Sequence, residues 1–170
     1  MVPNTTQNVL VYIGLGANTG DPVLQLSEAR ASIEVNVGHI VSASREYLSE
    51  PWGEPNQPWF RNQVIVVESS LKPESVMMHC LDIESKMGRE RHLPNAPRPI
   101  DLDILFYGDR IIKSPSLEVP HPRFHQRNFV LIPMMEIAAD FVDPRSGQTI
   151  EELYLANQDL LEVCLPEENV

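Results

Sequence analysis

Two apolar periodicities alternate along this chain, and their order restricts its fold more than any other feature. Val9 to Leu15 is a short, nearly continuous apolar run, the pattern of a buried strand. Beyond the turn GLGANTG, Asp21 and Pro22 offer a cap and a first helical residue, and a helix is expected to about Val35. Its Val23, Leu26, Ala29 and Ile33 recur at three- and four-residue spacing and so share one face. Ile40 to Leu48 and Phe60 to Ser70 read as strands, the second rich in the β-branched residues that suit a pleated surface. Lys72-Pro73 opens a second helix with Val76, Cys80, Ile83 and Met87 on one face, and Gly88 is placed to stop it. Ile100 to Tyr107 alternates: Ile100, Leu102, Ile104 and Phe106 toward the core, Asp101, Asp103, Leu105 and Tyr107 away from it. Strand, helix, strand, given twice, predicts an α+β chain of the ferredoxin-like type: an antiparallel sheet with helices packed on it in three α/β/α layers.

Short extended pieces are expected at Ile111-Ile112 and Leu117 to Val119. Helices are expected at Asn128 to Ala139, despite Pro133, and near Glu151 to Ala156. Between the second and third strands, EPWGEPNQPW packs three prolines and two tryptophans into a stiffened aromatic loop. With no repeat or linker, residues 1–170 read as a single domain, 1–8 loose and about 157–170 an acidic end. No stretch approaches the roughly 18 apolar residues that cross a bilayer, and the first residues have no leader pattern. Cys80 and Cys164 form no metal-type or redox-type pair, and a cytoplasmic setting is expected.

Thirteen Lys and Arg against 24 Asp and Glu give a net charge of −11, which argues against a nucleic-acid binder. Residues 86–127 reverse that balance: eight of the thirteen cations stand there against five acids. A basic island in an acidic chain can attract a small polyanion. Within it, Asp101-Leu102-Asp103 on a strand aims two carboxylates at one side, and such a pair repels itself unless a cation lies between. Mg²⁺ is held in this way, by one or two carboxylates with phosphates and water. Pro97 and Pro99 stiffen the backbone on both sides of Arg98, while Arg89, Arg91, His121, Arg123 and Arg127 flank the pair in sequence. Metal plus arginines makes a polyphosphate site. GLGANTG is not a dinucleotide fingerprint, because no acid follows at the required distance and too few βαβ units come after it. GxxxxGK[ST] and GxSxG are absent. Read alone, these residues leave open an enzyme, a non-catalytic nucleotide-binding module, and a metal-dependent phosphodiesterase.

RPIDLDILFYG followed by VPHPRFHQRNFVLIPMMEIA, with YIGLGANTGDP, YLSEPWG, QPWFRN and IESKMGRER before them, resembles the 6-hydroxymethyl-7,8-dihydropterin pyrophosphokinase family of folate synthesis. The resemblance runs over about residues 9–155. It implies a ferredoxin-like fold, transfer of pyrophosphate from ATP to the pterin hydroxymethyl group, and AMP as product. It further implies two Mg²⁺ ions on Asp101 and Asp103, Arg98 on the ATP phosphates, and Arg89 and Arg91 on a loop that closes over ATP. Glu84, Ile104, His121 and Arg127 fall on the ATP side. Phe60 and Phe129 would hold the pterin between their rings and Asn62 its edge, with Ser49, Glu50 and Trp52 in the neighbouring turn to Gly53. ATP and the pterin are the partners implied, with no nucleic acid, membrane or obligate protein partner, and no general base is assigned.

Overall fold

The computed structural model describes residues 7–90 and 95–167. β1 (Val9–Ala17) leads into α1 (Pro22–Asn36), and the Asp21 carboxylate accepts the Leu24 N–H at 3.2 Å as the expected cap. β2 (His39–Ala43), β3 (Tyr47–Ser49) and β4 (Phe60–Ser69) follow, then α2 (Pro73–Lys86) and β5 (Asp101–Tyr107). The pieces β6 (Ile112–Lys113) and β7 (Glu118–Val119) pair with each other. A 3-10 turn at Phe124–Gln126, α3 (Asn128–Ala138), α4 (Ile150–Ala156) and β8 (Val163–Cys164) complete the described elements.

The main sheet runs β5-β1-β4-β3-β8 with β2 also on β4, and every pairing is antiparallel. Neighbours β5, β1, β4 and then β2 and β3 are the ferredoxin-like order expected from the doubled strand-helix-strand pattern. α1 and α2 cover one face, where Leu26, Ile33, Val76 and Cys80 meet Val11, Ile13, Ile65 and Val67. α3 and α4 cover the other, where Val130, Leu131, Met134 and Ile150 meet Tyr12, Val64 and Val66. Burial on both faces explains why β4 reads as an unbroken apolar run rather than an alternating one.

Four local expectations are corrected. Val23 lies on the solvent side of α1, about half exposed, so the core stripe is Leu26, Ala29 and Ile33. The expected strand 40–48 is broken: the Ser44 hydroxyl accepts the Val64 N–H and donates to the Arg45 carbonyl, which bends the chain between β2 and β3. β1 does not end at Leu15 but runs through Gly14 and Gly16 to Ala17, paired with both β4 and β5. In β5 the register slips, Ile13 opposing Ile104 and Tyr12 opposing Phe106, which leaves Leu105 as an extra residue. That bulge turns Phe106 into the α3 layer and Tyr107 into the α1/α2 layer, the reverse of strict alternation.

Candidate active site

On the α3 side, the core stops short at one end of the sheet and a cleft of about 260 Å³ opens. Its floor is built by omission. Asp101 and Asn62 oppose Gly16, and Asp103 and Val64 oppose Gly14, so β1 contributes no side chain between the acidic strand and the amide strand. A Cβ on Gly16 would stand 2.9 Å from Asn62 Oδ1. The glycines that look like turn residues in the sequence are clearance within a strand.

Asp101 and Asp103 line this floor together, as their i and i+2 spacing requires. Burial pushes the Asp103 carboxyl up to about 7; Asp101 and Glu84 push the same way, against the pull of Arg127 and Arg89. Glu84, reaching in from α2, accepts the Leu102 N–H at 2.9 Å, and its other oxygen accepts from Arg89 Nη1 at 3.1 Å. The same Arg89 nitrogen donates to Asp101. Desolvation works against the Arg89 charge, yet Asp101 and Glu84 outweigh it and hold its pKa above the ordinary value. Gly88, at φ +89°, lets the chain leave α2 in the direction that brings Arg89 back to the cleft.

Arg98 is fixed by a residue that the sequence reading passed over. Asn18, buried at the end of β1, accepts the Arg98 N–H on Oδ1 at 2.9 Å and donates its own N–H to the Arg98 carbonyl at 3.1 Å. Its Nδ2 donates to Gln57 Oε1 and the Pro58 carbonyl, tying the tryptophan loop to the same point. The Arg98 guanidinium lies over the Phe60 ring, 5.2 Å from its centroid, with Nε 3.8 Å from Asp101 Oδ2. Arg127 lies over Trp52 at 4.8 Å and Phe129 at 5.5 Å. The Nε groups of Arg98 and Arg127 are buried with no hydrogen-bond partner among the described residues. Two buried guanidinium donors are thus left unsatisfied close to two carboxylates.

His121 stands on the same wall. The Leu105 bulge exposes its carbonyl to the His121 N–H at 3.0 Å, so the irregularity in β5 also places this ring. Burial, then the charge of Arg127, lowers the imidazole to about 4, and its Nδ1 accepts the Arg123 N–H, which leaves the proton of the neutral ring on Nε2. Asn62 Nδ2 donates to Ser49 Oγ and turns Oδ1 toward Gly16. The cysteines take no part in this chemistry: burial, with Glu84 and Asp103 adding, pushes the Cys80 thiol up to about 12, and Cys164 lies in β8.

The cleft brings together Ser49, Glu50, Trp52, Phe60, Asn62, Glu84, Arg89, Arg98, Asp101, Asp103, His121, Arg127 and Phe129. Ile104 is not among them: it sits opposite in the alternation to Asp103, and its side chain is packed in the α1/α2 core. Arg91 lies outside the described residues, as do 1–6 of the expected loose start. Met77, Leu81, Leu105 and Val130 also line the cleft, with no signal in the sequence beyond their apolar character, and so does Asn95, with none.

Fold and cleft together define a ferredoxin-like α+β protein whose cleft gathers a carboxylate pair and buried arginines. A family model for 7,8-dihydro-6-hydroxymethylpterin-pyrophosphokinase (HPPK) matches residues 12–139. The chain is 42% identical over 142 residues to a 2-amino-4-hydroxy-6-hydroxymethyldihydropteridine pyrophosphokinase of Synechocystis sp., covering 83% of this chain and 72% of that one. Identity is 40% over 146 residues to the Haemophilus influenzae protein of the same name, covering 85% and 91%. It is 38% over 151 residues to folic acid synthesis protein fol1 of Pneumocystis carinii, covering 89% of this chain and 20% of that protein. Among solved structures, a Plasmodium falciparum HPPK-DHPS chain matches with a TM-score of 0.73 at 18% identity, over 90% of this chain and 45% of that one, a likeness of fold. This chain belongs to the 7,8-dihydro-6-hydroxymethylpterin-pyrophosphokinase family.

Proposed function

We propose that this family member transfers pyrophosphate from ATP to the hydroxymethyl group of 6-hydroxymethyl-7,8-dihydropterin with its two substrates side by side in the cleft. ATP phosphates lie against Arg98, Arg89, Arg127 and the carboxylate pair, and the pterin lies against Phe60, Phe129 and Asn62. The pterin hydroxyl oxygen forms a bond to the β-phosphorus, the bond from that phosphorus to the α-phosphate oxygen breaks, the hydroxyl proton passes to a phosphate oxygen, and AMP leaves. The observation that carries the reading is the pairing of unsatisfied buried Nε groups on Arg98 and Arg127 with Asp101 and Asp103 in one cleft. Asn62 Oδ1 accepts from the pterin edge, and neutral His121 offers an Nε2 proton to an ATP oxygen.

The donor set fits Mg²⁺. Two oxygen-donor carboxylates share one strand face, and the charge of Asp103 is disfavoured by burial and by Asp101, so a dication relieves both. No group of three or more His, Cys, Asp or Glu able to hold a metal is gathered among the described residues, so Asp101 and Asp103 would leave most of the shell to phosphate and water. Bound there, Mg²⁺ would neutralise phosphate charge as it shifts during transfer. The arginines orient the phosphates, and the aromatic walls exclude water from the hydroxyl. Residues 1–170 act as one domain in this reading, in the cytoplasm. No helix among the described residues is long and apolar enough to cross a membrane. Chelation tests the metal: turnover is expected to vanish with EDTA and return with excess Mg²⁺, and turnover unchanged by chelation would overturn the metal role of Asp101 and Asp103.

A further inference from the structure

The aromatic half of the cleft has two walls, which meet directly where Arg127 lies over Trp52 and where the Tyr47 hydroxyl donates to Glu136. One is β3 and the turn after it, carrying Ser49, Glu50 and Trp52; the other is the first turn of α3, carrying Phe129 after Arg127. Residues 157–164 add a second link between them, at the end nearest the first turn of α3. The Asp159 Oδ2 accepts the Asn128 N–H at 2.9 Å and caps α3 from 31 residues away, where Arg127 supplies no side-chain cap of its own. The Asp159 carbonyl accepts from Asn128 Nδ2 at 3.1 Å, and Asn157 Nδ2 donates to Asn128 Oδ1 at 2.7 Å. Asp159 Oδ1 accepts the Leu161 N–H at 3.0 Å, which turns the chain toward the other wall. There the Glu162 carbonyl accepts the Glu50 N–H at 3.0 Å, the Glu50 carboxylate accepts the Glu162 N–H at 2.6 Å, and β8 pairs with β3 through Cys164 and Val163. Leu160, at 95% exposed, shows that this segment is not held by an apolar anchor there.

We propose that residues 157–164 form a strap that sets the spacing of the pterin walls, with Asp159 as its positioning residue. The inference rests on the pterin reading of that half-cleft and deepens it. Capping fixes where α3 begins, hence where Arg127 and Phe129 point, while the β8 pairing holds Glu50 and Trp52 opposite. The ATP half, built on β5, α2 and Asn18, meets the strap only through Arg127, the residue that precedes α3.

Full-length Asp159→Ala and Asp159→Asn test it. Asp159→Ala is expected to raise KM for 6-hydroxymethyl-7,8-dihydropterin about fivefold, the size of a lost helix cap, and KM for ATP by less, through Arg127 alone. Asp159→Asn keeps an acceptor oxygen and is expected to restore most of the difference. Amide hydrogen exchange of Asp159→Ala is expected to quicken at both 47–53 and 128–131, with α1 unchanged. The strap is overturned if KM for the pterin stays within twofold, if KM for ATP rises as much as KM for the pterin, or if exchange quickens at 157–164 alone. Wild-type protein without pterin-dependent turnover would instead sink the functional reading, and the exchange measurement then still decides the strap.

Discussion

The two faces of the sheet use the same strands to opposite ends. Toward α1 and α2, β1 presents Val11, Ile13, Leu15 and Ala17, all buried, against Ile65, Val67, Leu102 and Ile104. Toward α3, the same strand presents Tyr12 and then Gly14 and Gly16, so packing that begins with Tyr12 against Phe106 gives way to empty floor. One face minimises voids; the other creates one and surrounds it with charges that cost stability when left uncompensated. Stability and chemistry are therefore separable in this molecule, residue by residue along a single strand.

The sharpest way to break that separation is on the floor. Asp101→Ala and Asp103→Ala are expected to lower kcat on the order of a thousandfold or more. Asp103→Asn, which removes one of two facing carboxylate charges, is expected to melt no lower than wild type in metal-free buffer. Loss of folding in these variants, followed by circular dichroism, would make the pair structural. On the packed face the pattern inverts: Ile33→Ala, at a fully buried site, is expected to cost about 2–5 kcal/mol by denaturant titration while leaving turnover per folded molecule unchanged. Gly16→Ala lies between the two. Its methyl enters the space beside Asn62, and KM for the pterin is expected to rise about tenfold with little change in melting temperature.

The smallest effect is expected where α3 meets the β2-β3 bend. Glu136 accepts from the Arg45 N–H, Arg45 Nε and the Tyr47 hydroxyl. Burial favours the protonated acid, but these bonds outweigh it and hold the Glu136 pKa below its ordinary value of 4.5. A depressed carboxylate stabilises the fold above that value and loses the contribution as pH falls through the folded pKa. Glu136→Gln is therefore expected to be less stable than wild type at pH 7, by at most about 1 kcal/mol for a pair whose arginine is mostly exposed, with the gap closing as pH falls below the ordinary carboxylate range.

Most of the architecture could be read from the sequence because unbroken periods dictate it: Leu26, Ala29 and Ile33 on α1, and Val76, Cys80 and Ile83 on α2, are buried as their spacing requires. The acids and arginines were legible for a related reason, since a strand fixes the side of Asp101 and Asp103 whatever surrounds it. Features that depend on a second strand were not. A glycine in isolation signals a turn, and only the opposing Asn62 and Asp101 show that Gly16 is clearance. A bulge leaves no mark on composition, so Phe106 and Tyr107 exchange faces unannounced and His121 gains its anchor at Leu105. Asn18 and Asp159 act through backbone groups 80 and 31 residues away, contacts no local pattern encodes.

The most direct test of the chemistry assigned to this floor is a nucleotide-product assay with ATP and Mg²⁺, run with and without 6-hydroxymethyl-7,8-dihydropterin and resolving AMP from ADP. AMP that forms only with the pterin present is the expected result. ADP, or AMP formed at the same rate without the pterin, would contradict pyrophosphate transfer in this cleft.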